Sequence, residues 1–411
     1  MKLFAHGHAT HPDWRMALSL AAAQVEVQRH DPGGAHIQAA TLGWVYFSDH
    51  YAAHADALMA ELGRRWPGVE WVGASGMGVA ANGVEYIDEP ALALMLSDLP
   101  RERFRVFSGV RPLGPSDHFR AGTAQVHSDA SAGDLTDLIT ELSARTSAGY
   151  LFGGIASSGR GDPMHVANGV FRGGVSGVAF APRVKLVSRV TQGCQPVGPV
   201  RHVTQSLRNV IGLLDGRPAL DSLLLDLGLE EEALRKSLSR LRDTLVGLSD
   251  RRDDLLSRPG QFGTDTLVRN LVGIDLQNRA LAIAGNVENG MQMAFCRRDL
   301  QSARRDLVRI CSEIREEFEP EALPREAALA MHASDATGAP HPGRRVAGAV
   351  YVSCMGRGGP HFGAPSAELA LIRHALGDVP LVGFFAAGEI ARHHLYGYTG
   401  VLTVFGSTDG D

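Results

Sequence analysis

The chain has 411 residues, more than one hydrophobic core usually supports, so its length favours two or more domains. Apolar residues make up 44% and charged residues 21%, a globular balance that excludes a wholly disordered protein. The formal net charge of −5 argues against a nucleic-acid partner, because such a partner requires a basic face.

Strand and helix patterns alternate through the first 181 residues. Helical spacing of apolar residues predicts helices at Met16–Gln28 and Tyr51–Trp66, with Pro12 at the first helical position of the earlier one. The turn residues Arg172-Gly173-Gly174 predict a hairpin over Asn168–Ala181. Apolar runs rich in β-branched or aromatic residues predict strands at Lys2–Ala5, Ala40–Phe47, Val69–Gly73, Ala91–Leu96 and Tyr150–Phe152.

Leucine spacing and amphipathic patterns dominate the second half of the chain. Leu223–Leu256 is predicted as a long helix, either packed on its own domain or forming a coiled-coil seam for a partner. Leu300–Phe318 is predicted as an amphipathic helix, and Pro324–Pro342 as a surface loop. The leucines that recur along the long helix are Leu234, Leu238, Leu241, Leu245 and Leu248. Further predicted elements are strands at Leu267–Asp275, Leu281–Ala284, Ala347–Ser353, Gly400–Phe405 and from Leu381 onward, and a helix at Ser366–Leu376.

The alternation of strands and helices predicts an α/β fold, with α+β as the alternative. The sequence also contains a weak internal repeat, in which a short apolar run is followed by glycines and other small residues. The repeat occurs at Val72–Val79, Leu151–Gly159 and Val382–Ile390. Such repetition indicates two or more related α/β units.

Several well-known catalytic motifs are missing from the sequence. It has no Gly-Lys pair, which excludes a P-loop, and neither an H-E-x-x-H helix nor a G-x-S-x-G elbow. Gly76–Ala81 matches G-x-G-x-x-A, but the turn signal Asn82-Gly83 follows where a dinucleotide site needs a helix. His6 and His8 would share one face of a strand and suit a metal or a haem iron, although exposed histidines without a ligand are the commoner case.

The best candidate site lies near the end of the chain. Cys354-Met355-Gly356-Arg357-Gly358 follows a predicted strand, and its glycines allow a ligand to approach the backbone closely. Arg357 offers a planar fork for a carboxylate. Glu389 follows another strand and could pair with an ammonium group or orient Arg357. The alternative is a buried Arg–Glu pair that holds two loops together.

The cysteines and the N-terminus bear on the location of the protein. Cys194, Cys296, Cys311 and Cys354 are widely spaced and form no C-x-x-C pair, which predicts reduced thiols rather than disulfides or structural zinc. The first residues contain no apolar stretch of signal-peptide length, and no window of about 18 apolar residues occurs anywhere. We therefore expect a cytoplasmic chain without membrane insertion.

Several segments resemble the FIST family when they are taken together. S-C-M-G-R-G with P-L-V-G-F-F-A-A-G-E-I, and V-R-N-L-V-G-I-D with I-A-G-N-V-E-N-G, are similar to the FIST C-terminal domain. T-L-G-W-V-Y-F, V-G-A-S-G-M-G-V, L-F-G-G-I-A-S-S-G and T-Q-G-C-Q-P-V-G-P resemble the N-terminal domain. The resemblance implies a stand-alone bacterial member with an N-terminal half at residues 1–217 and a C-terminal half at 218–411. These would be two related layered halves with mixed sheets and flanking helices.

The resemblance also implies a function. FIST domains are regarded as sensory modules for small ligands, among them amino acids, and are often fused to signalling domains. This chain shows no such fused segment, so a separate signalling protein is the expected partner. No cofactor or metal is expected, and no catalytic residue is assigned. The predicted ligand-binding residues, placed at the strand exits between the two halves, are Cys354, Arg357, Gly358, Gly388, Glu389, Ser75 and Ser157.

Three other functions remain open from the sequence. A haem-binding gas sensor would use a histidine as axial ligand, since some members of the family are reported to bind haem. An enzyme would use Cys354 as nucleophile and His361 as the base nearest in sequence. A structural partner protein would depend on the leucine stripe alone.

Overall fold

The computed structural model describes residues 2–31, 35–114, 119–230, 244–249, 256–258, 261–262, 266–318 and 346–406. The chain divides into two compact units, each with its own core. The predicted halves at 1–217 and 218–411 stay a prediction, because both units are assembled from non-contiguous segments. The first unit consists of Met1–Thr191, Leu307–Leu395 and Thr399–Asp411, and the second of Gln192–Asp306 and Tyr396–Tyr398.

Helices and strands alternate through most of the described chain. The helices are α1 Trp14–Arg29, α2 Ala55–Arg65, α3 Leu135–Ala144, α4 Ala219–Leu227, α5 Leu300–Phe318 and α6 Ala367–Leu376. The strands up to residue 192 are β1 Ala5–Thr10, β2 Leu42–Ser48, β3 Glu70–Gly76, β4 Gly78–Ala81, β5 Val84–Ile87, β6 Ala91–Ser97, β7 Phe104–Phe107, β8 Thr123–Ser128, β9 Leu151–Ile155, β10 His165–Ala167, β11 Val170–Phe171, β12 Val175–Phe180 and β13 Leu186–Gln192. The later strands are β14 Cys194–Pro196, β15 Arg201–Leu207, β16 Val210–Leu214, β17 Arg217–Pro218, β18 Thr244–Ser249, β19 Leu256–Arg258, β20 Gln261–Phe262, β21 Leu267–Asp275, β22 Ala280–Ile283, β23 Gln292–Arg298, β24 Val346–Cys354, β25 Leu381–Ala386, β26 Gly388–Arg392, β27 His394–Tyr396 and β28 Thr399–Gly406.

The first unit contains three six-stranded mixed sheets built to one plan. Their strand orders are β1-β6-β2-β3-β10-β11, β7-β12-β8-β9-β26-β27 and β13-β28-β24-β25-β4-β5. The third and fourth strands of each sheet are parallel, and one helix connects them in the chain: α2, α3 or α6. This confirms the predicted α/β fold with mixed sheets and flanking helices.

Each sheet is completed by strands that the chain brings from another sheet. After β3 and the single residue Met77, β4 pairs antiparallel with β25 of the third sheet. After β25 and the single residue Ala387, β26 pairs with β9 of the second sheet. After β9 the chain reaches β10, which pairs with β3 of the first sheet. The three glycine-rich repeats of the sequence are these three strand exits.

Glycines at equivalent positions allow the parallel strands to pair. Gly73, Gly153 and Gly383 face Val45, Val126 and Tyr351 of the neighbouring strand. A Cβ atom at any of the three would overlap the carbonyl oxygen of that neighbour. Gly73 and Gly153 also have φ values of 159° and 139°, which other residues rarely adopt. The repeat in the sequence therefore reflects backbone packing.

The inner faces of the three sheets share one aromatic core. Trp44 of the first sheet and Phe180 of the second both pack on Phe405 of the third, each with ring centroids 5.4 Å apart. Tyr46 stacks on Phe384 at 5.2 Å. All five side chains are fully buried, and such rings contribute strongly to core stability.

The second unit is built around a closed antiparallel sheet. The pairing runs β23-β15-β16-β22-β21-β18 and returns to β23, while β14 extends β15 along the same edge of β23. Helix α4 packs against the apolar side chains of these strands, and it ends at Gly228, which has φ 61°. Such a left-handed glycine is a common helix terminator.

Four sequence predictions need correction. The first strand is Ala5–Thr10 rather than Lys2–Ala5, and Asp13 caps α1 through a hydrogen bond from Arg15 N, so Pro12 lies before the helix. The predicted hairpin is not one, because β11 pairs with β10 and β12 pairs with β8. In the predicted long helix, Leu245 and Leu248 belong to strand β18.

Other predictions are confirmed or lie outside the description. The amphipathic helix Leu300–Phe318 is confirmed, and Ala303, Leu307, Ile310, Ile314 and Phe318 form its buried face. Leu234, Leu238 and Leu241 lie outside the described residues, as does the predicted loop Pro324–Pro342.

Candidate functional site

The exits of β24 and β25 form the predicted site region, and the two strands are parallel neighbours as predicted. Cys354, the last residue of β24, pairs in register with Ala386 of β25. Glu389 follows shortly after β25 ends, within β26. The charge of Arg357 and the thiol of Cys354 both act on the Glu389 carboxyl. The structure therefore brings together the three residues that the sequence analysis singled out.

Glu389 is fully buried, yet its carboxyl is only half bonded. Its Oε2 accepts hydrogen bonds from the Thr399 backbone N at 3.1 Å and from Thr399 Oγ1 at 2.7 Å. Its Oε1 accepts no hydrogen bond from an N–H or O–H group of the residues that the structure describes. Burial raises the pKa of Glu389 to about 8, against the lowering effects of Thr399, the Arg357 charge and the Cys354 thiol. At neutral pH the buried carboxyl therefore holds a proton.

Arg357 is buried and forms its ion pair with Glu368, a residue that the sequence analysis missed. Arg357 Nε and Nη2 lie 3.0 and 2.9 Å from Glu368 Oε1. Glu368 also accepts hydrogen bonds from Tyr351 Oη at 2.7 Å and from Ser353 Oγ at 2.9 Å. The Arg357 guanidinium also lies 5.3 Å from the centre of the Phe362 ring. The only sequence signal for Glu368 was its place in the first turn of a predicted helix.

Glu85, on β5, closes this network from another part of the chain. Its carboxyl accepts hydrogen bonds from the backbone N–H groups of Gly359, Glu368 and Leu369 at 2.9, 3.0 and 3.3 Å. In return, Ser366 Oγ accepts a hydrogen bond from Glu85 N at 3.0 Å. Burial raises the pKa of Glu85. Glu85 thus caps α6 and holds the turn after β24, a role that no local sequence pattern predicts.

The two predicted glycines pack closely at the same exits. Both Gly358 and Gly388 are buried. A Cβ at Gly358 would lie 2.6 Å from Cε1 of the Phe385 ring, so only glycine fits there. Gly388 pairs with Ile155 where β26 enters the second sheet.

Ser75 and Ser157 are buried, and each hydroxyl both donates and accepts a hydrogen bond at the strand exits. Ser75 Oγ donates to Met164 O at 3.3 Å and accepts from Met164 N at 3.0 Å. Ser157 Oγ donates to Phe385 O at 2.6 Å and accepts from Met77 N at 2.9 Å. Ser157 therefore links the exits of β3, β9 and β25. All seven predicted residues lie in the first unit.

A second buried polar network, in the shared core, was not predicted. Trp44 Nε1 donates to Gln125 Oε1 at 2.7 Å, and Gln125 Nε2 donates to Tyr46 Oη at 2.7 Å. His127 Nε2 lies 3.2 Å from the same Tyr46 oxygen. Burial, together with the neighbouring His165, lowers the pKa of His127 to about 3. His127 is therefore neutral at physiological pH.

Two clefts lie away from the predicted residues. One, of about 580 Å³ in the first unit, is lined by Thr123, Tyr150, Ser188, Arg189 and Glu317, among others. The other, of about 560 Å³ in the second unit, is lined by Asp226, Thr244, Cys296 and Arg297, among others. None of the seven predicted residues lines either cleft.

Of the two histidines suggested as metal or haem ligands, His8 has a hydrogen-bonding neighbour. His8 Nδ1 lies 2.7 Å from Tyr86 Oη, and the rings of His6 and His36 are 6.3 Å apart. Across the described residues, no cluster of three or more His, Cys, Asp or Glu side chains is arranged to hold a metal ion. His361 packs edge-on against Phe362, while Glu389 is the acid–base group beside the Cys354 thiol.

Comparisons with known proteins cover almost the whole chain. A FIST N domain model matches residues 41–217, and a FIST C domain model matches residues 219–392. An uncharacterized protein of Mycobacterium tuberculosis is 30% identical over 425 aligned residues, covering 97% of this chain and 98% of that protein. An uncharacterized protein of Mycobacterium bovis is 31% identical over 427 residues, covering 97% of each. Within the parts of the chain that are described, every helix is too short or too polar to cross a membrane.

Proposed function

Because the chain belongs to the FIST family, whose domains are thought to act in sensory signal transduction, we propose that it binds a small ligand beside Glu389 and Cys354. The observation that carries this proposal is the fully buried Glu389 carboxyl with one oxygen open. A buried polar atom without a partner costs free energy, so a ligand that supplies a hydrogen bond there gains affinity.

The chemistry of the site favours a small ligand with an amino group, such as an amino acid. An ammonium group next to Glu389 would donate to Oε1 and favour the ionised carboxylate. Arg357 adds a positive charge at the same edge for a ligand carboxylate, although two of its nitrogens already lie against Glu368. Cys354 forms a small, polarisable wall beside these groups.

The signal and its location belong to the same proposal. A separate signalling protein would receive the signal. The protein would act in the cytoplasm, where cysteines stay reduced.

The test is a ligand screen by thermal shift, followed by calorimetry. We expect one or more amino acids to raise the melting temperature of the wild-type chain and to leave Glu389→Gln unchanged. The substituted glutamine cannot ionise, whereas a ligand ammonium would displace the Glu389 proton. Calorimetry in buffers of different ionisation enthalpy should therefore detect release of up to about one proton per site near pH 7.

A surface variant provides the matched control. Glu141→Gln removes a carboxylate from α3, where the side chain is 61% exposed, and it should bind as the wild type does. Arg357→Lys keeps the charge but loses the planar fork, and it should weaken binding of a ligand that carries a carboxylate. If Glu389→Gln binds the identified ligand as tightly as the wild type, the proposed site is wrong.

A further inference from the structure

Cys354 differs from the other three cysteines in its surroundings. Cys194, Cys296 and Cys311 are buried, whereas Cys354 is partly exposed at the end of β24. Burial raises the pKa of Cys311 to about 12 and that of Cys296 well above its usual value. Those two thiols therefore stay protonated, and a thiol reacts as a nucleophile only when its proton is removed.

A group able to remove the proton from Cys354 lies next to it. Glu389 is fully buried, and its Oε1 accepts no hydrogen bond from an N–H or O–H group of the described residues. The Cys354 thiol approaches this carboxyl closely enough to lower its pKa through hydrogen bonding. The partly exposed residue Cys354 thus lies beside a buried acid–base group.

The charged groups around this pair come from three other elements. Arg357, in the turn after β24, favours negative charge on Glu389. Glu368 on α6 bonds Arg357, and Glu85 on β5 holds the turn and the start of α6. Arg357 is thus a positive charge that acts on this carboxyl, and a positive charge beside a cysteine also favours the thiolate.

We infer that Cys354 is a peroxide-reactive thiol and that Glu389 takes its proton and returns it to the leaving oxygen. In the fraction of molecules whose Glu389 is ionised, which grows as the pH approaches about 8, the Cys354 proton passes to the Glu389 carboxylate, and Sγ attacks one oxygen of the hydroperoxide. The S–O bond forms as the O–O bond breaks. The departing hydroxide or alkoxide takes the proton from Glu389 and leaves as water or an alcohol. Sulfur is oxidised by two electrons to sulfenic acid, and the peroxide is reduced by two.

The choice of a peroxide follows from the carboxyl. Hydroxide is a strong base and a poor leaving group, so its departure is aided by a nearby acid, which many other thiol reagents do not need. Burial raises the pKa of Glu389 to about 8, close to the usual thiol value of about 8.5. Proton transfer in either direction is then nearly balanced, whereas an ordinary glutamate would be a much weaker base.

The test is peroxide treatment of the intact chain with a 1,3-diketone trap for sulfenic acid. Mass spectrometry of the four cysteine-containing peptides gives four rates in one sample, and the buried cysteines serve as internal controls. We expect Cys354 to be trapped at least about tenfold faster than the other three, because it is the partly exposed cysteine and its thiol lies beside a carboxyl. Glu389→Gln should slow the oxidation of Cys354 by at least about tenfold. General acid–base groups typically contribute about 10²–10⁴-fold to a rate.

Further variants keep the inference falsifiable. Glu141→Gln should react at the wild-type rate. If Glu389→Gln does not fold by thermal melt, Glu389→Asp, which retracts the carboxyl by one methylene, should show the same slowing. Equal trapping of all four cysteines, or a wild-type rate at Cys354 in a folded Glu389 variant, would overturn the inference. The reaction needs no ligand, so its failure would leave the ligand-binding proposal to its own test.

Discussion

The proton on Glu389 makes the stability of the first unit depend on pH in a definite direction. The unfolded chain loses this proton near pH 4.5, while the folded chain keeps it up to about pH 8. Between these values the folded state binds more protons, so the free energy of unfolding falls as pH rises and levels off above about pH 8. A shift of about 3.5 units at 1.36 kcal/mol each gives an upper bound of about 5 kcal/mol.

Glu389→Gln isolates this contribution, because glutamine resembles the protonated carboxyl but does not titrate. We expect the free energies of unfolding of the variant and the wild type to be most similar near pH 4.5. Above that pH the variant should become relatively more stable, by up to about 1.4 kcal/mol per pH unit, until about pH 8. The assay is urea unfolding of both proteins at steps of about one pH unit over this range. His6 and His127, whose pKa values are lowered to about 4 and about 3, affect both proteins equally and cancel in the difference.

Two results would refute this reasoning. If the difference in free energy of unfolding between the two proteins stays constant with pH, Glu389 is already ionised at neutral pH and burial does not control its pKa. If the difference narrows as pH rises, the folded state favours the carboxylate, and the surrounding positive charge outweighs burial. Glu141→Gln should follow the wild-type curve between these pH values.

Three further changes test the packing around the site and in the core. His127→Gln should reduce the loss of stability on acidification between about pH 6.5 and pH 3. In this range the wild-type imidazole binds a proton only in the unfolded chain, which favours unfolding. Acid titration followed by circular dichroism measures the effect. Glu85→Ala should cost about 2–5 kcal/mol in urea unfolding, since three backbone N–H groups lose a carboxyl acceptor; unchanged stability would contradict its capping role. Gly383→Ala should lower the free energy of unfolding by more than about 3 kcal/mol, because its Cβ would overlap the Tyr351 carbonyl oxygen. The control Gly63→Ala lies in open space on α2 and should stabilise the protein by about 0.5–1 kcal/mol. Equal melting temperatures for the two variants would contradict the packing argument.

Local patterns predicted the elements that depend on local physics. The helix Leu300–Phe318 was predictable because its apolar face follows the helical period over 19 residues. The neighbouring positions of β24 and β25 were predictable because a short helix between two apolar runs usually connects parallel strands. The leucine stripe misled at Leu245 and Leu248, because β18 pairs with β21 on one side and β23 on the other, and tertiary pairing overrides a helical spacing.

The site was predictable only in part, for a related reason. Cys354, Arg357 and Glu389 stood out because they follow glycine-rich strand ends, and the structure brings them together. Glu85 meets the backbone of Gly359 across 274 positions of sequence, so no window of the chain contains the contact. The turn at Gly173-Gly174 was visible, but its left-handed φ values of 73° and 67° are compatible with both a hairpin and a passage between sheets.

The exchange of strands among the three sheets has a consequence for folding. The second sheet lacks β26 and β27, and the third lacks β4 and β5, until distant parts of the chain arrive. These two sheets therefore cannot be completed by one stretch of chain, and contacts of large sequence separation must form before either of them closes, which slows folding. A chain cut between β13 and β24 would yield two fragments, each holding strands that the other needs. Such fragments should regain the second and third sheets only by complementation, so these two sheets fold cooperatively.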